Sequence, residues 1–417
     1  MNKTFTTLIA FIFGITAAHS EKYVGGDISL LPEYESHGAI YKTHDGKQIS
    51  SLLPWLHEQG MNSMRVRLFV DPSKYKGSDK DPNACQNLEY ITPLCKRIVE
   101  NGFDLMLDFH YSDTWADPAK QYTPADWAGL NDEELYEKIY SYTKECLTYL
   151  KNEGVVPTFI QPGNEISYGM LWGPEGTPSS SQKKALMGSN ANWDRFGKLL
   201  KQAIKACREV CPDAKIIIHN ERVAQVNVLT NFYDKMKALG VDYDIIGLSY
   251  YPYFHGDINI LEKALNALQE KYTDKNIMIV ETGYSYKWEV PGTTHDLSSK
   301  YPYSDAGQNK FITDLITMLD KHPSVNGLYW WWFEYNAFNT SLSGWYNAPL
   351  FDSTNGRATS ALKTLCKFAE NSGVNEIIRD ESQKKIWYDL NGNIINEPHG
   401  KGIYILQTSK GTFKIAK

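Results

Sequence analysis

Beyond its first 20 residues the sequence has no apolar stretch long enough to cross a bilayer, so no membrane-spanning helix is expected. It also lacks clustered basic residues. With 43 Lys and Arg against 49 Asp and Glu the net charge is −6, whereas binding a polyphosphate requires basic clusters that release counterions. Nucleic acid is therefore not expected as a partner, and a neutral substrate fits better. Metal signatures are missing too: no paired CxxC and no HExxH occurs, so no zinc site is expected. Cysteine is scarce. Of the six (Cys85, Cys95, Cys146, Cys207, Cys211 and Cys366), Cys207 and Cys211 sit four apart on a predicted helix, where disulfide geometry is poor, and core thiols are expected.

What is present fits a soluble globular protein, with 42% hydrophobic and 22% charged residues in a chain of 417. That length accommodates one large core and a small appendage, since a closed α/β barrel takes ~250 residues or more as one domain. The first 20 residues read as an address: Lys3, the apolar run Leu8 to Ile15, then Ala18-His19-Ser20 before an expected cut. No Cys follows the cut to carry a lipid, so the mature protein is expected to be secreted, periplasmic or held at the cell surface by other means. A monomer is expected.

From residue 21 to about 370, eight short runs rich in β-branched and aromatic residues alternate with segments of helical periodicity. The runs are Tyr23–Leu31, Met61–Phe69, Phe103–His110, Pro157–Glu165, Lys215–Glu221, Asp244–Pro252, Asn276–Tyr284 and Val325–Trp332. Alternation implies parallel strands, and a count of eight predicts a (β/α)₈ barrel rather than an open sheet. Ile91, Leu94, Cys95, Ile98 and Val99 form one amphipathic stripe, which stops at Asn101-Gly102; similar stripes occupy 133–152, 193–211, 228–239, 258–272 and 306–321. The strand-to-helix connections 70–88, 111–132, 166–192 and 285–305 are long. Long loops on one face are what a barrel active site needs. Residues 371–417 change character to short alternating segments, Lys385–Leu390, Gly402–Thr408 and Thr412–Ala416, and predict a small β module.

The fourth and seventh runs both end on glutamate, in Gln161-Pro162-Gly163-Asn164-Glu165 and Ile279-Val280-Glu281-Thr282. A strand's C-terminal end points into a barrel's mouth. Two carboxyls about 5–5.5 Å apart permit glycoside hydrolysis with retention through a covalent glycosyl-enzyme, provided one stays protonated and the other ionised. Glu165 is assigned as acid/base and Glu281 as nucleophile. A single such glutamate is as well explained by a salt bridge to a neighbour; two in these registers favour catalysis. Arg65 and Arg67 alternate along the second run, so that one is expected to face the interior, and Arg67, nearer the mouth, is the candidate to lower the nucleophile's pKa. His110 ends the third run beside Asp108, and Tyr250-Tyr251 end the sixth. Trp115, Trp127, Trp172, Trp288, Trp330, Trp331, Trp332 and Trp345 lie in or beside the mouth loops, where indoles stack on the apolar faces of sugars.

These motifs resemble glycoside hydrolase family 53, the endo-β-1,4-galactanases. The matching stretches run in order from Gly25 to Asp352: GGDISLLPEYE, MRVRLFVDP, LDFHYSDTWADPAKQ, GNEISYGMLWGPEG, GLSYYPY, VETGYSY, GLYWWW and YNAPLFD. The resemblance implies hydrolysis of internal β-1,4-galactosidic bonds in the galactan or arabinogalactan side chains of plant cell-wall pectin, with Asn164 at the sugar 2-hydroxyl. It also implies that Arg67, His110, Tyr250 and Trp331 line the cleavage site, with Trp115 and Trp172 in the groove. Family members often read Tyr-Trp-Glu-Pro at strand eight, whereas this chain has Trp331-Trp332-Phe333-Glu334. No cofactor is required. Some bacterial relatives hold calcium in the loop after strand seven, and here residues 287–303 offer Glu289, His295, Asp296 and Ser298 as ligands. The C-terminal module resembles sorting modules of Gram-negative secretion through YDLNG and KGIYI, although Asn393 stands where Arg is common; an accessory β-hairpin is the alternative.

Other readings keep the fold and change the chemistry. A mannanase or glucanase of the same barrel clan would differ in substrate, and a non-catalytic glycan-binding barrel would usually lose a carboxylate, whereas both are present. A metal-dependent hydrolase would carry His-x-His after the first strand, which this chain lacks.

Overall fold

The computed structural model describes residues 21–186, 192–337, 348–370, 385–390, 392–398, 403–408 and 411–416. The expected export signal over residues 1–20 and Trp345 lie outside the described residues. Eight strands, β1 Tyr23–Asp27, β2 Ser63–Leu68, β3 Asp104–Phe109, β4 Phe159–Pro162, β5 Lys215–Asn220, β6 Ile245–Tyr250, β7 Asn276–Thr282 and β8 Val325–Trp330, pair in sequence order and close on themselves. The ladder is parallel throughout, and the β1–β8 pairing completes it. This is the (β/α)₈ barrel that the count of runs implies.

The crossover helices start and stop where local chemistry directs them. Leu88–Glu100 begins at Asn87, whose side chain accepts from Tyr90 N, and ends before Gly102, which takes φ 83°. Asp132–Asn152 opens with a capping box in which Asn131 and Glu134 exchange hydrogen bonds with each other's backbone. The apolar stripes of these helices pack on the outward side chains of the strands, among them Val66, Leu107, Ile160, Ile218, Ile246 and Leu328.

Inside the barrel the strands' other faces form a separate apolar floor of Met106, Phe159, Ile217, Ile245, Met278, Val280 and Tyr329. Two residues further along, the same faces turn polar, with Arg65, Asp108, Gln161, His219 and Ser249, all buried. The alternation is broken once with consequence. Leu248 pairs with Ile279 but Ser249 pairs with Glu281, so a bulge at Val280 lets two successive residues of β7 serve the interior. Without it, strict period-two alternation from Met278 and Val280 would aim Glu281 at the helices.

Residues 22–370 form one compact unit, and the C-terminal residues belong to a second. There, strands β9 Ile386–Tyr388, β10 Ile394–Ile395, β11 Ile403–Thr408 and β12 Gly411–Ala416 make an antiparallel sheet in the order β10-β9-β11-β12. Trp387 and Leu406 are paired across it and buried. Two residues long, β10 gives too little alternation to be seen in sequence. All six cysteines are free thiols. Among the described residues no helix is long and apolar enough to cross a membrane.

Met278 is wholly buried in the barrel floor. Met278→Ala is expected to lower the unfolding free energy by about 2–5 kcal/mol, as other large-to-small core changes do, measured by urea denaturation.

Candidate active site

A cavity of about 800 Å³ opens at the C-terminal ends of the strands, with Glu165, Glu281, Asn164, Trp115, Trp331 and Trp332 in its wall. Glu165 follows β4 after a sharp backbone turn. Gly163 has φ 108°, where a Cβ would meet Ile166 at 2.7 Å, and Glu165 itself takes φ 47°. Such left-handed backbone is costly for a residue with a side chain and is found where a site demands it. The turn is held from the neighbouring strand, since Glu165 N donates to His219 Nδ1 at 3.2 Å.

Glu281 is 4% exposed and lies beside Arg65, with Nη2 to Oε1 2.9 Å. The same guanidinium reaches Asp27 at 3.1 Å, Asp108 at 2.8 Å and the amide oxygen of Asn164 at 2.9 Å. Tyr251 donates its hydroxyl to Glu281 Oε2 at 2.7 Å. Burial works to raise the Glu281 carboxyl pKa, and Arg65 and Tyr251 counter it, leaving a moderate upward displacement. At Glu165 burial, the Glu281 charge and the Glu221 charge all act upward, and its pKa is raised well above the ordinary carboxyl value. Two carboxyls in one cavity are thus set apart: Glu165 is pushed toward the protonated form, and Glu281 is the one whose anion is supported by Arg65 and Tyr251.

Ser249 Oγ lies 3.5 Å from Glu281 Oε2, and the same hydroxyl acts to lower the pKa of Glu165. Its partner is His219, whose Nε2 is 2.8 Å from Ser249 Oγ. Because His219 Nδ1 accepts the Glu165 amide, Nε2 carries the ring proton and donates to Ser249, leaving the serine proton for the carboxyls. Burial and Arg65 hold His219 well below the ordinary histidine pKa, so the ring is neutral. His110 is arranged in the same way. Its Nδ1 accepts from Ala116 N at 3.0 Å, its Nε2 is 3.1 Å from Asp108, and burial lowers its pKa. At Asp108 burial is outweighed by Arg65 and His110, which keep the carboxylate ionised.

Of the residues expected at the site, Glu165, Glu281, Asn164, Trp115 and Trp331 line the cavity, and His110 lies directly behind, its ring 5.9 Å from that of Trp115. Three expectations are corrected. Arg65 and Arg67 are two residues apart and both face inward, so it is Arg65 that reaches Glu281. The Arg67 guanidinium instead sits against the rings of Trp115, Trp331 and Trp332, at 4.7, 4.8 and 5.5 Å. Tyr250 points outward and donates to Gly256 O at 2.8 Å; the next residue, Tyr251, is the inward one. Trp172 is core, 1% exposed, with Nε1 on Tyr168 O at 2.9 Å. Trp330 and Trp127 are core as well.

The residues missed at first reading are Asp27, His219, Glu221 and Ser249. Parity from the inward Ile217 and Ile245 would have found the last three, since 217, 219 and 221, and 245, 247 and 249, share a face. In the loop after β7 the candidate ligands Glu289, His295, Asp296 and Ser298 lie among the described residues. Asp296 accepts a hydrogen bond from Ser298 N at 2.8 Å, and among the described residues no three His, Cys, Asp or Glu side chains gather at one point.

A barrel whose mouth holds two carboxyls, Glu281 buried and Glu165 half-buried, beside an indole wall is the arrangement of a glycoside hydrolase. The family model of glycosyl hydrolase family 53 matches residues 23–365, and the chain belongs to that family. The chain is similar to a protein of Niallia circulans described as an uncharacterized protein in the bgaB 5′ region, 38% identical over 317 residues, 74% of this chain and 82% of the relative. It is similar to arabinogalactan endo-β-1,4-galactanase A of Aspergillus niger, 32% identical over 335 residues, 77% and 88% of the two chains. Among solved structures, the catalytic domain of the family 53 enzyme of Ignisphaera aggregans superposes with TM-score 0.71 at 32% identity, covering 86% of this chain and 99% of the other.

One electrostatic consequence is testable away from catalysis. Behind the indole wall Glu334 is fully buried, and burial with Asp27 pushes its carboxyl up to about 8, with Arg67 acting the other way. In the unfolded chain this group ionises near its ordinary value, so the folded state binds the extra proton between roughly pH 4.5 and 8 and loses stability as pH rises through that window. Glu334→Gln keeps an amide oxygen for Leu30 N, which now donates to Oε1 at 3.0 Å. Relative to the parent, the variant should gain melting temperature steadily from pH 5 to pH 8; a constant offset across that range would refute the assignment.

Proposed function

We propose that the protein is an endo-acting β-1,4-galactanase working by double displacement on the galactan or arabinogalactan side chains of pectin. The observation that carries this reading is the asymmetric carboxyl pair. Glu281, supported as an anion by Arg65 and Tyr251, attacks the anomeric carbon, while Glu165 gives its proton to the glycosidic oxygen as the bond to the leaving sugar breaks. Glu165, now a carboxylate, takes a proton from water, and the hydroxide equivalent attacks the same carbon and releases Glu281. The Ser249 hydroxyl is placed to follow the negative charge from one carboxyl to the other.

Asn164 uses Oδ1 for Arg65 and one Nδ2 proton for Ala116 O, at 2.8 Å. Its second Nδ2 proton is available for the sugar 2-hydroxyl, where hydrogen bonds strengthen in the transition state. Trp331 and Trp115, backed by Arg67, give a ring-stacking wall. The substrate assignment draws on the relatives named as galactanases. The first 20 residues are read as an export signal and residues 371–417 as an accessory or sorting module, on sequence grounds.

Galactan, mannan and cellulose assayed side by side should give cleavage of galactan alone, and activity on mannan without galactan would overturn the substrate. Anomeric NMR should show β-configured first products; α products would contradict retention. Glu281→Ala should lower kcat on galactan by ~10³-fold or more. Tyr251→Phe removes a hydrogen bond to the ionised form of Glu281, so the acid limb of the kcat/KM profile should move up by about 1 pH unit or more.

A further inference from the structure

We propose that Glu221 holds a hydroxyl of the hexopyranose on the leaving side of the cleaved bond, making it a specificity residue of the cavity. The inference rests on the reading of Glu165 as proton donor.

Glu221 follows β5, next to the strand that carries Glu165, and lines the same cavity. It is 6% exposed. Its two oxygens are treated differently. Oε1 accepts from Ser167 Oγ at 2.6 Å and lies 2.8 Å from Arg222 Nε, whereas Oε2 is buried with no hydrogen-bond partner. A buried carboxyl oxygen left unsatisfied costs free energy that a ligand hydroxyl would recover. Arg222 is itself fixed, its guanidinium 4.3 Å from the ring of Tyr168. The carboxyl is therefore tethered from behind, with one oxygen free.

Its place in the cavity selects the sugar. The indoles Trp115, Trp331 and Trp332 form the wall backed by Arg67, beside the Arg65–Glu281 pair, and suit the ring that the nucleophile attacks. The glycosidic oxygen must lie at Glu165, so the departing ring extends past Glu165, away from that wall. That wall is carried by β8, β2 and the loop after β3; across the closed barrel, the ends of β5 and β6 next to Glu165's strand bring Glu221, Tyr253 and the half-buried Phe254 into the same cavity. An aromatic surface beside a fixed carboxyl is a common sugar-binding pair, one part stacking and the other reading a hydroxyl. Glu165 and Glu221 line the same cavity from the ends of adjacent strands, and the Glu221 charge acts upward on the Glu165 pKa.

The test compares two substrates: linear β-1,4-galactan, which has a sugar on the leaving side, and an aryl β-1,4-galactobioside, which has none. In Glu221→Ala the ratio of kcat/KM on galactan to kcat/KM on the aryl glycoside should fall about tenfold or more, the loss of a hydrogen bond to a carboxyl. Arg222→Met, which loosens the tether and leaves the carboxyl in place, should lower the same ratio about threefold and does not depend on the alanine variant folding. A ratio within twofold of the parent in both variants, or equal losses on both substrates, overturns the proposal. If the unsubstituted protein cleaves neither substrate, the hydrolase reading falls and this one with it. If it cleaves both and the ratio does not move, only the Glu221 subsite falls.

Discussion

The site depends on one buried cation. Arg65 is inaccessible to solvent and has Asp27, Asp108 and Glu281 within 3.1 Å and Asn164 Oδ1 at 2.9 Å. Burial works against its charge, but the three carboxyls outweigh it and keep the guanidinium protonated. A buried ion pair seldom gains stability over an apolar substitute, while removing one partner costs about 3–5 kcal/mol because the others are left uncompensated. The arrangement is thus a poor way to stabilise a barrel and an effective way to fix Glu281 as an anion. The planar fork of arginine matters: Nη1 donates to Asp27, Nη2 donates to Asp108 and Asn164, and Glu281 Oε1 lies in ion-pair contact with Nη2 at 2.9 Å. A lysine could neutralise the charge, but its single nitrogen could not hold these groups in their separate directions.

The same guanidinium orders the two glutamates indirectly. Through Asn164 it steadies the backbone just before Glu165, and through Glu281 it sets the charge that Glu165 feels. His219 closes the circuit from β5, taking the Glu165 amide on one nitrogen and addressing Ser249 with the other. Left-handed backbone recurs around this circuit, at Tyr111 after β3, Glu165 after β4 and Trp332 after β8, with φ between 47° and 49°. Each follows a strand end, where the chain must leave the sheet while its side chain still faces the mouth. The fold tolerates this strain because the polar layer below holds the strand ends from neighbouring strands, through Arg65 on Asp108 and Asn164 and through His219 on the Glu165 amide.

Sequence made the barrel legible because eight apolar runs alternating with helical stripes admit few other closures, and because Glu165 and Glu281 end the fourth and seventh of them. The wall was less legible, for reasons of parity. Arg65 and Arg67 share a face, so choosing between them required knowing which depth of the barrel the nucleophile occupies. Tyr250 and Tyr251 lie on opposite faces, and only the inward register of Ile245 distinguishes them. The bulge at Val280 is invisible in Ile279-Val280-Glu281, yet it turns Glu281 inward. Trp172 belongs to a long specific motif, but a motif does not say whether its indole faces sugar or core, and here Nε1 is spent on Tyr168 O.

A neutral polysaccharide imposes a last constraint, which the distribution of charge in the cavity meets. The substrate brings no charge of its own, so uncompensated carboxylates around the two glutamates would favour cations over sugar. Arg65 and Arg67 offset two of the three charges on Glu281, Asp27 and Asp108; burial and the Glu281 charge push the Glu165 carboxyl toward its protonated form; Glu221 is tied to Arg222 and lifted by burial to about 7. Arg67 completes this account from beneath. Among the described residues Asp27 is the carboxylate in ion-pair range of it, at 3.5 Å, and the rings of three tryptophans pack around it. A desolvated cation–π contact of that kind is worth about 2 kcal/mol, enough to fix indoles without adding negative charge to a surface on which a sugar must lie.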